Sequence, residues 1–251
     1  YDAIKPDGWT GPELEPYLSL TKSNFSRLLE FLAATTASEP TGLLDAPEVT
    51  RKPNIVVIGH AQHGKDEVSE YLRDVYGFKY QPSSMFCAEF AIMPAFSDPD
   101  NIVETLRAHH DAGCPGMSPE ELKTSLMAMA AQNYSTIREC YNDRGAFRWA
   151  WYTLIKVYNH ANKARLASEI FERSHIYAGI RDVEEFNAAK CAGLFDIVIW
   201  TDAHKRKDLE DPNSMKMSVH DADFVVDNNG TIEQLKTNLD TLMSTLKIRK
   251  I

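Results

Sequence analysis

Five short apolar runs alternate with longer amphipathic stretches from residue 54 onward. The runs are Asn54–Ile58, Phe78–Tyr80, His175–Ile180, Asp196–Trp200 and Asp223–Asp227. Each is brief, and most are rich in β-branched or aromatic residues and flanked by turn formers, the pattern of a buried strand. Between them apolar residues recur at helical spacing. Val68, Leu72 and Val75 mark a helix from about Lys65 to Tyr76 that stops at Gly77, and the apolar stretch Met85–Met93 reads as another. Ser118-Pro119-Glu120-Glu121 is a capping box, and the helix it opens carries Leu122, Leu126, Met129 and Ile137 on one stripe. Phe147, Trp151, Leu154, Ile155 and Tyr158 mark the next helix, and Ala164–Arg173 a further one. Val183, Phe186 and Ala189 lead to Gly193, and Ile232, Leu235, Leu239, Leu242 and Leu246 form the buried face of the last helix. Residues 97–116, with Pro99, Gly113 and Pro115, read as an irregular insertion. Strands separated by helices predict an α/β fold: a doubly wound, parallel, five-stranded sheet with helices on both faces and a helical insertion or lid.

The first 52 residues follow a different pattern. Pro6, Gly8, Gly11, Pro12 and Pro16 punctuate the start, a short helix is expected over Ser23–Ala34 with Phe25, Leu28, Leu29 and Leu32 on one face, and Thr35–Pro53 has linker composition. The chain therefore divides into an N-terminal extension, 1–52, and an α/β domain, 53–251. The extension suits packing on the domain or self-association into a homodimer.

The first apolar run leads into the stretch with the clearest chemistry, Gly59-His60-Ala61-Gln62-His63-Gly64-Lys65-Asp66. This is the G-x-x-x-x-G-K spacing of a phosphate-binding loop, or P-loop. Glycines at both ends let the backbone turn its N–H groups inward, and the helix that follows aims its positive end at the same place. Lys65 adds a full charge beside the β- and γ-phosphates of a nucleotide such as ATP. The Ser or Thr that usually follows the lysine is replaced by Asp66. That carboxylate is either a hard-oxygen ligand for Mg2+ or a helix first-turn residue.

Other candidates are cationic. Arg181-Asp182 follows a strand at its carboxyl end, where open parallel sheets bind ligands. His204, Lys205, Arg206 and Lys207 form either a solvated face or a lid bringing cations to a transferring phosphate. Arg138, Arg144 and Arg148 could clamp an acceptor phosphate. The pair His109-His110 suggests metal, but adjacent helical residues point apart and no third ligand is suitably spaced.

Hydrophobic content of 43% is ordinary for a globular protein, and a net charge of -9 argues against a broad nucleic-acid face. No apolar run approaches membrane-spanning length. Cys87, Cys114, Cys140 and Cys191 are widely separated and read as reduced thiols, so a cytoplasmic location is expected.

The loop Gly59–Asp66, the strand ending in Arg181 with Glu185 four residues on, and the run from Asp223 through Asn228-Asn229-Gly230 resemble the deoxynucleoside monophosphate kinases of tailed bacteriophages. The Gly-Lys-Asp ending and the Asn-Asn-Gly turn are also similar to phosphomevalonate kinase and, more distantly, dephospho-coenzyme A kinase. The resemblance spans about residues 54–247. It implies ATP and Mg2+ as cofactors and a nucleoside monophosphate as substrate, with host cytoplasm as the location if the origin is a phage. By the same resemblance Gly59, Gly64 and Lys65 hold ATP phosphates, Asp66 lies on the magnesium side, and the turn Asn228–Gly230, Asn229 at its centre, lies near the donor base; the rest of the loop, His60, Ala61, Gln62 and His63, is expected to line the same nucleotide. The resemblance also places Arg181 beside the acceptor and matches Arg144 to an arginine before a tryptophan-bearing helix; the kinase reading itself adds Arg138 and Asp182 toward the acceptor, and Lys65, Arg181 and Arg206 as stabilisers of transfer. One position departs from the pattern: Gly179 stands where such kinases often carry an aspartate. This leaves open a related kinase that phosphorylates hydroxymethyluracil already in DNA. A nucleotide-binding regulator without turnover is the third reading.

Overall fold

The structure is a computed structural model that describes residues 51–209 and 215–251. The helix expected over Ser23–Ala34 and its linker lie outside the described residues. The elements, in chain order, are β1 (Ile55–Ile58), α1 (Lys65–Tyr76), α2 (Ser83–Cys87), α3 (Pro99–Asp111), α4 (Pro119–Ala131), α5 (Ile137–Asn142), α6 (Arg148–Tyr158), α7 (Arg165–Phe171), β2 (Ile176–Ala178), α8 (Val183–Cys191), β3 (Ile197–Asp202), β4 (Phe224–Asp227) and α9 (Ile232–Thr245). Two compact units divide them.

The first unit comprises residues 51–80, Ala178–Val183 and Phe195–Ile251. Its sheet is parallel, in the order β2-β1-β3-β4. Every residue of β1 and of β3 is buried, which is why both read as unbroken apolar runs rather than alternating ones. β1 aligns Ile55 with Ile197 and Ile58 with Trp200, and β3 aligns Ile199 with Phe224 and Asp202 with Asp227. β4 alternates in burial, as an edge strand does. The Asp196 carboxylate fixes where β1 and β3 start by accepting from the Asn54 backbone N–H at 2.7 Å and from Arg51 at 3.0 Å.

The sheet has four strands among the described residues, not the five expected. Phe78–Tyr80 contributes only a bridge at Tyr80. Helix termination explains the loss: Gly77 N–H donates to Arg73 O and Phe78 N–H to Leu72 O, so the start of the run closes α1 instead of joining a ladder. Lys52 completes that end by donating from Nζ to the carbonyls of Tyr76 and Gly77 at 2.5 and 2.6 Å. Arg51 and Lys52, assigned by the sequence to the extension, are thus bonded into this unit. On α9, Leu235, Leu239, Leu242 and Leu246 are buried as expected, but Ile232 is 45% exposed, so the buried stripe begins one turn later. The hydroxyls of Tyr71 and Tyr76 on α1 both donate to Asp240 Oδ1 on α9, at 2.8 and 2.6 Å.

The second unit, Gln81–Tyr177 and Glu184–Leu194, is helical apart from β2 residues at its edge. Leu122, Leu126 and Met129 are fully buried, and Trp151 and Leu154 nearly so, as their spacing indicated. The Ser118–Glu121 capping box forms. Met85–Met93 is helical but changes type, from α2 into a π-turn over Ala88–Ile92 and a 3-10 turn over Met93–Ala95. The stretch read as an irregular insertion instead holds α3. Asp98 caps it by accepting from Asn101 N–H, and Pro99 occupies the first turn, where a proline costs nothing. On α3, His109 is fully buried, with its Nε2 3.2 Å from Pro115 O, whereas His110 is exposed. No cluster of three or more His, Cys, Asp or Glu residues suited to a metal occurs among the described residues.

Candidate functional site

Strand order directs attention to one place in the first unit. From β1 the chain leaves toward β2 on one side, whereas from β3 it leaves toward β4 on the other. The carboxyl ends of β1 and β3 therefore flank a topological switch point, the position where open parallel sheets accept ligands. The loop Gly59–Gly64 leaves β1 there, and Asp202 ends β3 beside it.

The loop's conformation requires its glycines. Gly59 has φ +145°, and a Cβ there would lie 2.5 Å from the Thr201 carbonyl oxygen. Gly64 has φ +92°, and a Cβ there would lie 2.1 Å from the side-chain nitrogen of Asn228. Gln62, between them, also takes a positive φ, of 60°. Gly64 is the N-cap of α1 and makes no side-chain cap hydrogen bond, so the helix turns its positive end to the loop. Lys65 folds back over the loop, donating from Nζ to Gly59 O at 2.8 Å and His60 O at 2.6 Å. His60 packs edge-on against Trp200 of β3 and against His63. Ala61 is half-buried and Gln62 exposed.

Asp66 is exposed in the first turn of α1, and its Oδ1 accepts from the Tyr80 hydroxyl at 2.8 Å. Burial first, then the Asp66 charge, pushes the Tyr80 hydroxyl well above its usual range, so it remains a donor. Asp66 is the exposed carboxylate next to Lys65 that could ligate a hard cation such as Mg2+, and among the described residues it belongs to no cluster of three or more His, Cys, Asp or Glu suited to a metal.

Around the loop the structure gathers residues from the ends of β3 and β4. Arg206 donates from Nε to the Asn228 carbonyl at 2.5 Å, and Lys207 donates from Nζ to Gln62 Oε1 at 3.2 Å. Asn229 accepts the Lys205 N–H at 2.8 Å and donates to Asp227 Oδ1 at 2.6 Å. Of the residues named from sequence, the whole of Gly59–Asp66 together with Arg206 and Asn229 therefore meets at this switch point. Arg181 and Asp182 belong to the same unit, three and four residues beyond β2, and both are half-buried. The Arg181 carbonyl accepts from Lys216 N–H at 3.4 Å. Gly179, with φ +95°, donates its N–H to Val57 O at 2.9 Å. Arg138 and Arg144 lie in the second unit, both exposed. Arg144 donates to the Tyr141 carbonyl at 2.9 Å and its guanidinium covers the Tyr141 ring at 4.0 Å.

Sequence reasoning missed three contributors. Asn228 donates from Nδ2 to His63 O at 2.9 Å and holds the loop to β4, a contact that its place in the turn Asn228–Gly230 does not announce. His63 was taken as one loop residue among several but is a fully buried link, accepting the Ala203 N–H at Nδ1 over 3.1 Å. Asp202 was not singled out at all. It holds the His204 ring at 2.6 Å and accepts the His204 N–H at 3.2 Å. The available signal was a lone acid closing an apolar run, Trp200-Thr201-Asp202, at the ligand end of a parallel strand.

No family model matches the chain, and no curated protein matches it. No helix of the described residues is long and apolar enough to cross a membrane.

Proposed function

We propose that the protein transfers a phosphoryl group from ATP to a nucleoside monophosphate, releasing the diphosphate. The observation that carries this reading is the glycine loop between β1 and α1: positive-φ glycines at both ends, an uncapped helix start, and Lys65 folded across it at the switch point. The residue pattern shared with phage nucleotide kinases supplies the acceptor class.

In this reading the loop N–H groups and the start of α1 receive the ATP phosphates. Lys65 turns from the carbonyls of Gly59 and His60 to phosphate oxygens, where its full charge counts most. Asp66 would hold Mg2+, which when bound spreads the charge of the β- and γ-phosphates. Arg206 and Lys207 approach from the end of β3 and stabilise charge on the moving group. Arg181, in the same unit as the loop, binds the acceptor phosphate. The attacking atom is an anionic phosphate oxygen, so no strong general base is required.

The test is transfer of label from γ-labelled ATP to each deoxynucleoside monophosphate, with hydroxymethyluracil-containing DNA offered in parallel. Labelled diphosphate supports the reading and names the base. Label in DNA alone replaces it with base modification, and label in neither favours a regulator.

A further inference from the structure

His63 has a second role that the loop motif does not require. Its backbone carbonyl accepts from Asn228 Nδ2, and its ring accepts the Ala203 N–H at Nδ1. Ala203 is the residue on which the cationic turn is wound: it is fully buried, and its carbonyl accepts the N–H groups of both Arg206 and Lys207, at 3.0 and 2.9 Å. One side chain of the loop thus fixes the pivot of the turn that carries the cations. Lys207 reaches back to Gln62 of the loop and Arg206 to the carbonyl of Asn228, whose side chain in turn holds His63 O, so the turn is tied to the loop directly at two points and through Asn228 at a third.

We propose that His63 is a positioning residue whose Nδ1 holds the 203–207 turn, with Arg206 and Lys207, at the mouth of the Gly59–Lys65 loop. Its role toward ATP rests on the kinase reading above; the clamp itself does not. The ring is fully buried, and removing an imidazole from water is costly unless its nitrogens are put to use. An apolar side chain would avoid that cost, so the imidazole earns its place through Nδ1. The surroundings favour the neutral ring that can accept there. Burial is the largest influence and lowers its pKa, with His60 and Lys65 of its own loop acting the same way; Asp202 of β3, 4.0 Å away, and the Asp208 backbone act in the opposite sense. Positioning depends on an acceptor at one atom, and asparagine can place an oxygen near it.

Three measurements on the full chain test this. Hydrogen exchange follows the amides of Ala203, Arg206 and Lys207, nitrogen NMR reads the His63 tautomer, and calorimetry measures ATP affinity with and without Arg206→Ala. The wild type should show the Nε2–H tautomer. His63→Leu should speed exchange of the three amides and weaken ATP binding by about tenfold each, with His63→Asn recovering to within about threefold of wild type. Arg206→Ala should cost about tenfold alone but less than about twofold in the His63→Leu background, because the turn is already displaced. An Nδ1–H tautomer in the wild type overturns the proposal even if His63→Leu does not fold. Unchanged exchange in His63→Leu, or His63→Asn behaving like His63→Leu, also overturns it. Wild-type protein that binds no ATP overturns the kinase reading instead, while exchange and tautomer still decide the clamp.

Discussion

Lys65 donates to the carbonyls of Gly59 and His60 at 2.8 and 2.6 Å, and both of these partners are neutral. Lys65→Ala should therefore cost little stability yet lower transfer at least about a hundredfold, since a fixed cation at developing charge carries a large share of rate. Circular dichroism and the label-transfer rate check the two halves. Gly64 is the opposite case, a residue whose replacement acts on the backbone. Its positive φ and the 2.1 Å approach to Asn228 make Gly64→Ala destabilising by about 1–3 kcal/mol, measured by urea denaturation. Adding Asn228→Ala should recover only part of this, because the strained φ remains. His63 sets an acid limit. Its folded pKa lies below the ordinary 6.5, so the stability linked to its neutral ring is present above that value and lost as pH falls through the folded pKa. The wild type should lose stability on acidification below pH 6.5 more steeply than His63→Asn does.

At the scale of elements, the helices that announced themselves by both periodicity and capping chemistry appear where expected. Lys65–Tyr76 ends at Gly77, and the box at Ser118 opens α4. The last helix starts at Thr231, whose hydroxyl accepts from Gln234 N–H while the Gln234 side chain returns to the Thr231 N–H. Thr231→Ala should cost about 1 kcal/mol of unfolding free energy, seen as a lower denaturant midpoint at unchanged slope. Misreadings fell where one residue type serves opposite ends of an element. Pro99 signalled a break but starts α3, because Asp98 before it is the cap. Phe78 looked like strand, but its N–H is spent closing α1. The glycine loop was legible because its spacing is local. The Asn228 and Ala203 contacts to His63 were not, since they join residues 165 and 140 positions apart.

For the molecule as a whole, the proposed anionic ligand has to be reconciled with a net charge of -9. The switch point does this locally, by setting Lys65, Arg206 and Lys207 around a helix start in an otherwise acidic chain. ATP affinity should consequently fall as salt rises from low to physiological strength, by several-fold, and Lys207→Ala should flatten that dependence; titrations at two salt concentrations check both. The central claim, that this loop delivers the γ-phosphoryl of ATP to a nucleoside monophosphate, is met most directly by one assay. Purified protein, magnesium and γ-labelled ATP are incubated with each deoxynucleoside monophosphate, beside the Lys65→Ala variant. The structure and sequence together predict labelled diphosphate from at least one acceptor and none from the variant. Undiminished transfer by Lys65→Ala, or no labelled diphosphate from any acceptor, would contradict the account.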